Sequence, residues 1–178
     1  MKVKFSYLEE QFKNPGPILK DIKRLVKSGD FTLGKEVFEF EKQFAKLCQT
    51  KYAIGVGTGT DALRLSLLAL NIGVGDEVIT VPNTFYSTVE AIATAGAKPV
   101  FVDAGDDYNL NPRLIEDAIT KRTKAILPVH LYGCPAKMFE IMKIAKKHNL
   151  LVVEDACQAT NSAIDNKKIG SFGIAGCF

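Results

Sequence analysis

From residue 52 onward the chain alternates short apolar runs with amphipathic stretches, and this alternation constrains the fold more than any other feature. The runs are Ala53–Val56, Glu77–Val81, Pro99–Asp103, Ala125–Val129, Leu150–Glu154 and Gly173–Phe178. Helical spacing fills the gaps at Thr60–Asn71, Ser87–Ala95, Pro112–Ala118, Met138–His148 and a short piece near Gln158. Short uninterrupted apolar runs fit strands buried on both faces, with the intervening helices as their covers. The pattern predicts an α/β fold, three layers (α/β/α) around a mostly parallel sheet. Residues 1–34 read as an N-terminal arm. Pro15-Gly16-Pro17 interrupts it, and a helix follows from Ile18 to Lys27, ended by Ser28-Gly29. A second helix runs from about Lys35 to Cys48, with an apolar stripe at Val37, Phe38, Phe40, Phe44, Ala45 and Leu47.

Composition enters as a filter on function. A chain of 178 residues buries roughly 70% of its unfolded surface and needs no staples. The net charge of +3 is spread along the sequence without a Lys/Arg block, which argues against a nucleic-acid partner. No apolar run approaches the ~20 residues of a membrane span. The start, Met1 to Tyr7, lacks the apolar core of a signal peptide, so a cytoplasmic chain is expected. Cys48, Cys134, Cys157 and Cys177 form no C-x-x-C pair and no zinc spacing, so they read as reduced thiols and no metal site is expected. The last residues, Gly176-Cys177-Phe178, are small and apolar like the entry to a strand, and suggest a fragment of a longer protein.

Parallel α/β sheets bind ligands at the carboxyl ends of their strands. After the first run comes Gly57-Thr58-Gly59-Thr60-Asp61. It reads either as a phosphate cradle at a helix N-terminus or as a tight turn with a helix cap. It is neither a Walker loop nor a dinucleotide fingerprint. Phe85 follows the second run, either to stack on a flat ring or to pack a helix against the sheet. His130 ends the fourth run as a catalytic or a buried structural histidine. The fifth run closes on Glu154-Asp155, whose side chains point to opposite sides, so only one faces a site. A carboxylate there needs a cationic or strongly donating partner. A protonated pyridine nitrogen would serve. A metal would need further carboxylates at neighbouring strand ends, and only Asp103 qualifies.

Phosphate loop, ring-stacking aromatic and strand-end aspartate, in that order, resemble a fold type I pyridoxal phosphate enzyme. More narrowly the chain resembles the DegT/StrS family of nucleotide-sugar aminotransferases. The likeness is carried by Ser28-Gly29-Asp30-Phe31-Thr32-Leu33-Gly34, Phe40-Glu41, Gly57 to Leu63, Gly75 to Ile79, Ala97 to Asp103, Arg122 to Ile126, Pro128 to Gly133 and Val153 to Ala159. It implies a partial cofactor-binding large domain over residues 35–178, incomplete at its C-terminus. It also implies a homodimer that takes an amino group from an amino acid, usually glutamate, to a nucleotide-linked keto sugar for deoxyaminosugar biosynthesis. By the same resemblance Gly59 and Thr60 would hold the cofactor phosphate, and Phe85 would stack on the ring. Asp155 would pair with the pyridinium nitrogen, and Gln158 would lie near the ring hydroxyl. The family's Schiff-base lysine falls just beyond Phe178, and Lys167 and Lys168 do not match its position. The 178 residues alone are therefore expected not to transaminate. The other readings are a sugar dehydratase relative with His at that position, and a non-catalytic module that keeps the ring pocket. The resemblance orders the sheet 3-2-4-5-6-7-1, so strand one, ending at Val56, should be left without a neighbour and the sheet with exposed edges.

Overall fold

A computed structural model describes residues 6–178. Residues Met1 to Phe5, which belong to the stretch read for a leader, lie outside the described residues. The chain forms two compact units, Met1–Phe40 and Glu41–Phe178. The first holds α1 (Leu8–Gln11) and α2 (Gly16–Ser28). Pro15-Gly16-Pro17 starts α2 rather than delaying it. Proline is tolerated in a first turn, where its missing N–H has no intrahelical acceptor to lose. Gly29, at φ 71°, ends the helix with its N–H on Leu25 O at 3.1 Å. Arg24 pairs with Glu36 at 2.8 Å across the turn between α2 and α3 (Lys35–Leu47).

The second unit carries the sheet. Its elements in chain order are α4 (Gly59–Ala69), β1 (Glu77–Thr80), α5 (Tyr86–Thr94), β2 (Lys98–Phe101), β3 (Thr123–Ile126), α6 (Met138–His148) and β4 (Leu151–Asp155). A two-residue antiparallel hairpin follows, β5 (Ala163–Ile164) with β6 (Lys167–Lys168), and then β7 (Ala175–Cys177). The main sheet is parallel throughout, in the order β2-β1-β3-β4-β7. From β1 the chain crosses through α5 toward the β2 edge, and from β3 it crosses through α6 the opposite way. Right-handed crossovers in opposite directions put α5 and α6 on opposite faces, giving the three predicted layers. Every residue of β1 is buried, as a central parallel strand requires. The core gathers Val78, Ile79, Ala125, Ile126, Val152 and Val153 from the strands with Leu63, Leu67, Ile92 and Ile141 from the helices.

Four predicted stretches differ. Residues 53–56 form no strand: Ile54 is 80% exposed and the segment has no ladder partner among the described residues. Extended backbone needs a neighbour to become a strand, and the outer edge of β7 carries none. The stretch from Pro112 to Ala118 is two 3-10 turns, Pro112–Leu114 and Glu116–Ala118, rather than a helix. The piece near Gln158 is a turn, and the hairpin of β5 and β6 stands where a solvated turn is expected from Lys167 and Lys168.

Candidate functional site

Two neighbouring carboxylates at the end of β4 divide the chemistry of this region. Glu154 is fully buried and saturated. Its Oε1 accepts the N–H groups of Phe172 and Gly173, each at 2.8 Å. Its Oε2 accepts Gly170 N–H at 2.8 Å and faces His130 Nε2 at 3.2 Å. His130 Nδ1 accepts Ala136 N–H at 3.0 Å, so that nitrogen bears no proton and Nε2 is the donor toward Glu154. His130 therefore fits the structural reading of the two that the sequence leaves open.

Asp155 points the other way, as the strand period requires. It is 6% exposed, yet among the described residues it has only two N–H or O–H donors. Thr88 Oγ1 donates to Oδ2 at 2.8 Å and Cys157 N–H to Oδ1 at 3.3 Å. A carboxylate has about four acceptor positions, so half of this one's capacity is uncommitted. No lysine, arginine or histidine among the described residues pairs with it. Asp103, at the end of the run containing β2, is exposed and accepts its neighbour Ala104 N–H at 2.8 Å. Among the described residues no group of three or more His, Cys, Asp and Glu could hold a metal ion.

Of the other predicted residues, Gly59 lies against the loop after Asp155, Gln158 is on that loop, and Phe85 begins the helix that carries Thr88. Thr58 caps α4, its Oγ1 accepting Asp61 N–H at 3.0 Å while its carbonyl accepts Ala62 N–H at 3.0 Å. The amides of Gly59 and Thr60, in the first turn, are left to be satisfied from beyond the helix. A Cβ on Gly59 would stand 2.5 Å from Cys157 Sγ, so only glycine lets the helix end come this close to the loop after Asp155. Phe85 is the N-cap of α5 and is exposed. One turn further on, Thr88 reaches Asp155, so a single helix start sets both residues. Gln158 Oε1 accepts Tyr132 N–H at 2.7 Å. Because that N–H can only donate, the amide orientation is fixed and Nε2 keeps both its donors for a ligand. Tyr132 itself is held at φ 56°, exposed, ahead of Gly133 at φ 82°. Burial and the charge of Asp155 push the Cys157 thiol up to about 12.

Sequence reasoning missed Thr88, Cys157 and the role of Glu154. The signal for Thr88 was present, a hydroxyl on the buried stripe that also holds Ala91 and Ile92. The lysines stand apart. Lys168 Nζ donates to Asn161 Oδ1 at 2.7 Å, and Lys167 Nζ lies 4.4 Å over the Phe172 ring.

The chain as a whole has known relatives. A model of the DegT/DnrJ/EryC1/StrS aminotransferase family matches residues 16–178. The chain belongs to that family. Its fold agrees: it superposes on a DegT DnrJ EryC1 StrS aminotransferase from Brucella abortus with a TM-score of 0.92 at 37% identity, covering 98% of this chain and 49% of that one. S. venezuelae DesV, solved in complex with a ketimine intermediate, gives a TM-score of 0.89 at 42% identity, covering 95% of this chain and 46% of the other. Among curated relatives, the dTDP-3-amino-3,6-dideoxy-alpha-D-galactopyranose transaminase of Aneurinibacillus thermoaerophilus is 47% identical over 90% of this chain and 45% of its own length. A pleiotropic regulatory protein of Geobacillus stearothermophilus is 43% identical over 100% of the chain and 48% of its own length. The chain thus spans about half the length of the curated relatives it matches.

Proposed function

We propose that the site binds pyridoxal 5′-phosphate. The protein to which it belongs would transfer an amino group from an amino acid, glutamate by family habit, to a keto sugar on a nucleotide carrier. The observation that carries this reading is Asp155, a buried carboxylate with half of its acceptor capacity free and no cation of its own. Such a group is at rest only against a cationic donor, and a protonated pyridine nitrogen is one of the right size. The surroundings fit the rest of the cofactor. The first-turn amides of Gly59 and Thr60 with the Thr60 hydroxyl suit a phosphate. Phe85 is an exposed ring beside the same helix start that supplies Thr88, and the Gln158 amide offers donors to a ring hydroxyl.

When bound, the cofactor supplies an electron sink through its protonated ring. Asp155 keeps the proton on the ring nitrogen, and Thr88 and the Cys157 amide keep Asp155 aimed. Gly59 and Thr60 anchor the far end, Phe85 excludes water from one ring face, and Gln158 Nε2 steadies the hydroxyl. Neither Lys167 nor Lys168 reaches this region, since both are engaged elsewhere. Residues 1–34 serve as an arm and 35–178 as part of the cofactor domain of a cytoplasmic homodimer.

Pyridoxamine 5′-phosphate, which forms no covalent bond to a lysine, tests the site directly. Titration followed by fluorescence should give saturable binding, and Asp155→Ala should weaken it. A hydrogen bond to a charged group is worth about 1.5–3 kcal/mol, so the loss should be roughly ten- to a hundredfold. Equal affinity in both proteins removes Asp155 from the site.

A further inference from the structure

We infer that Glu154 and His130 are positioning residues that set the register of β7 against β4, and through it the place of the chain after Cys177 beside Asp155. The inference deepens the proposed cofactor reading and rests on it. β7 has little of its own to specify register. It is three residues, Ala175-Gly176-Cys177, paired in parallel with Val153, Glu154 and Asp155. A short, glycine-containing strand of small residues is the kind that slips. A slip of one residue moves the strand by about 3.3 Å and turns its side chains to the opposite face.

Glu154 supplies what the strand lacks. Gly170, Phe172 and Gly173, whose N–H groups it binds, form the turn that leads into β7. The carboxylate sits on β4 opposite Gly176, so it fastens the incoming turn to the very strand on which β7 must pair. The glycines make this possible. A Cβ on Gly173 would strike Val152 O, one on Gly176 the backbone of Gly170, and one on Gly170 the Phe178 ring. His130 fills the fourth acceptor position of Glu154, and its other nitrogen ties in Ala136, between the Tyr132 turn and α6. The ladder ends with Ala156 N–H on Cys177 O at 2.7 Å. Phe178 O then lies 3.5 Å from where a Gly59 Cβ would stand. One buried carboxylate thereby fixes where the chain after Cys177 reaches the phosphate-loop side of the site.

The test uses the whole chain, with Glu154→Gln as the first variant and two readouts. Amide hydrogen exchange at Gly170, Phe172, Gly173 and Gly176 should accelerate at least tenfold while β1 and β3 stay protected. Pyridoxamine phosphate affinity should fall at least fivefold. Unchanged exchange at these amides overturns the inference. Faster exchange with undiminished affinity overturns its positioning part, since the turn would then be held for stability alone. If Glu154→Gln loses protection in β1 as well, His130→Leu decides. It removes one of the four donors and should raise exchange at Gly170, which shares Oε2, about threefold; no rise there overturns the inference. A wild-type chain that binds no pyridoxamine phosphate sinks the functional reading and the positioning part built on it, while the exchange arm still judges the register clamp.

Discussion

The two ends of the same sheet are built on opposite principles. At the amino ends of β1, β2 and β3, Glu77 is buried and amply supplied with donors. Thr120 Oγ1 donates to one oxygen, Arg122 Nε and a terminal nitrogen to the other at 3.1 and 2.7 Å, and Lys98 Nζ stands 4.0 Å away. These partners hold its carboxyl below the ordinary value of 4.5, the Thr120 bond first and Arg122 next. At the carboxyl ends, Asp155 is equally enclosed but has two donors and no cation. Both are strand-end acids on parallel neighbours, so position alone does not separate scaffold from site. What separates them is whether the chain answers its own charge. Where it does, the residue welds strands together; where it does not, the remaining partner comes from outside.

Three measurements sharpen that contrast below the effect expected for Asp155→Ala. Thr88→Val removes the stronger donor to Asp155 while keeping its shape, and the ligand feels this only through Asp155, an effect of about 1 kcal/mol. Pyridoxamine phosphate affinity should then drop roughly fivefold, and an unchanged titration would free Asp155 from dependence on α5. Thr60→Ala, at an exposed helix start, should cost only about two- to threefold, read as faster loss of bound ligand on gel filtration. Glu77→Gln should leave affinity untouched and act on stability alone. Its folded pKa is depressed, so its contribution is full above about pH 4.5 and is lost as pH falls through the lower folded value. Thermal midpoints taken from neutral to acid pH should lie lower for the variant at neutral pH and converge with the wild type in acid. A weakened cofactor titration in this variant would break the division between the two ends.

Much of this was legible from residue types alone. The βα alternation foretold the three layers, because buried parallel strands have no polar face to disguise them. The opposed directions of Glu154 and Asp155 follow from a period of two. Register and saturation were not legible. Nothing local in Glu154-Asp155 says that one acid meets three backbone amides from sixteen to nineteen residues downstream. Long-range partners also explain the failure at residues 53–56, where an apolar run reads as a strand but pairs with no other segment among the described residues. The 3-10 turns between Pro112 and Ala118 fail for a local reason. Pro112 starts helical geometry well, but the stretch is too short for repeated α-type bonds to offset nucleation.

The close approach of Gly59 to Cys157 has a chemical consequence. A thiolate beside a carbonyl-bearing ligand would add to it and hold it as a dead-end adduct. With the Cys157 thiol pushed up to about 12, the nucleophilic thiolate is disfavoured at neutral pH. Haloacetamide labelling of the folded chain should accordingly be faster at Cys134 than at Cys157; both are exposed, but the Cys157 thiol is held back from ionising.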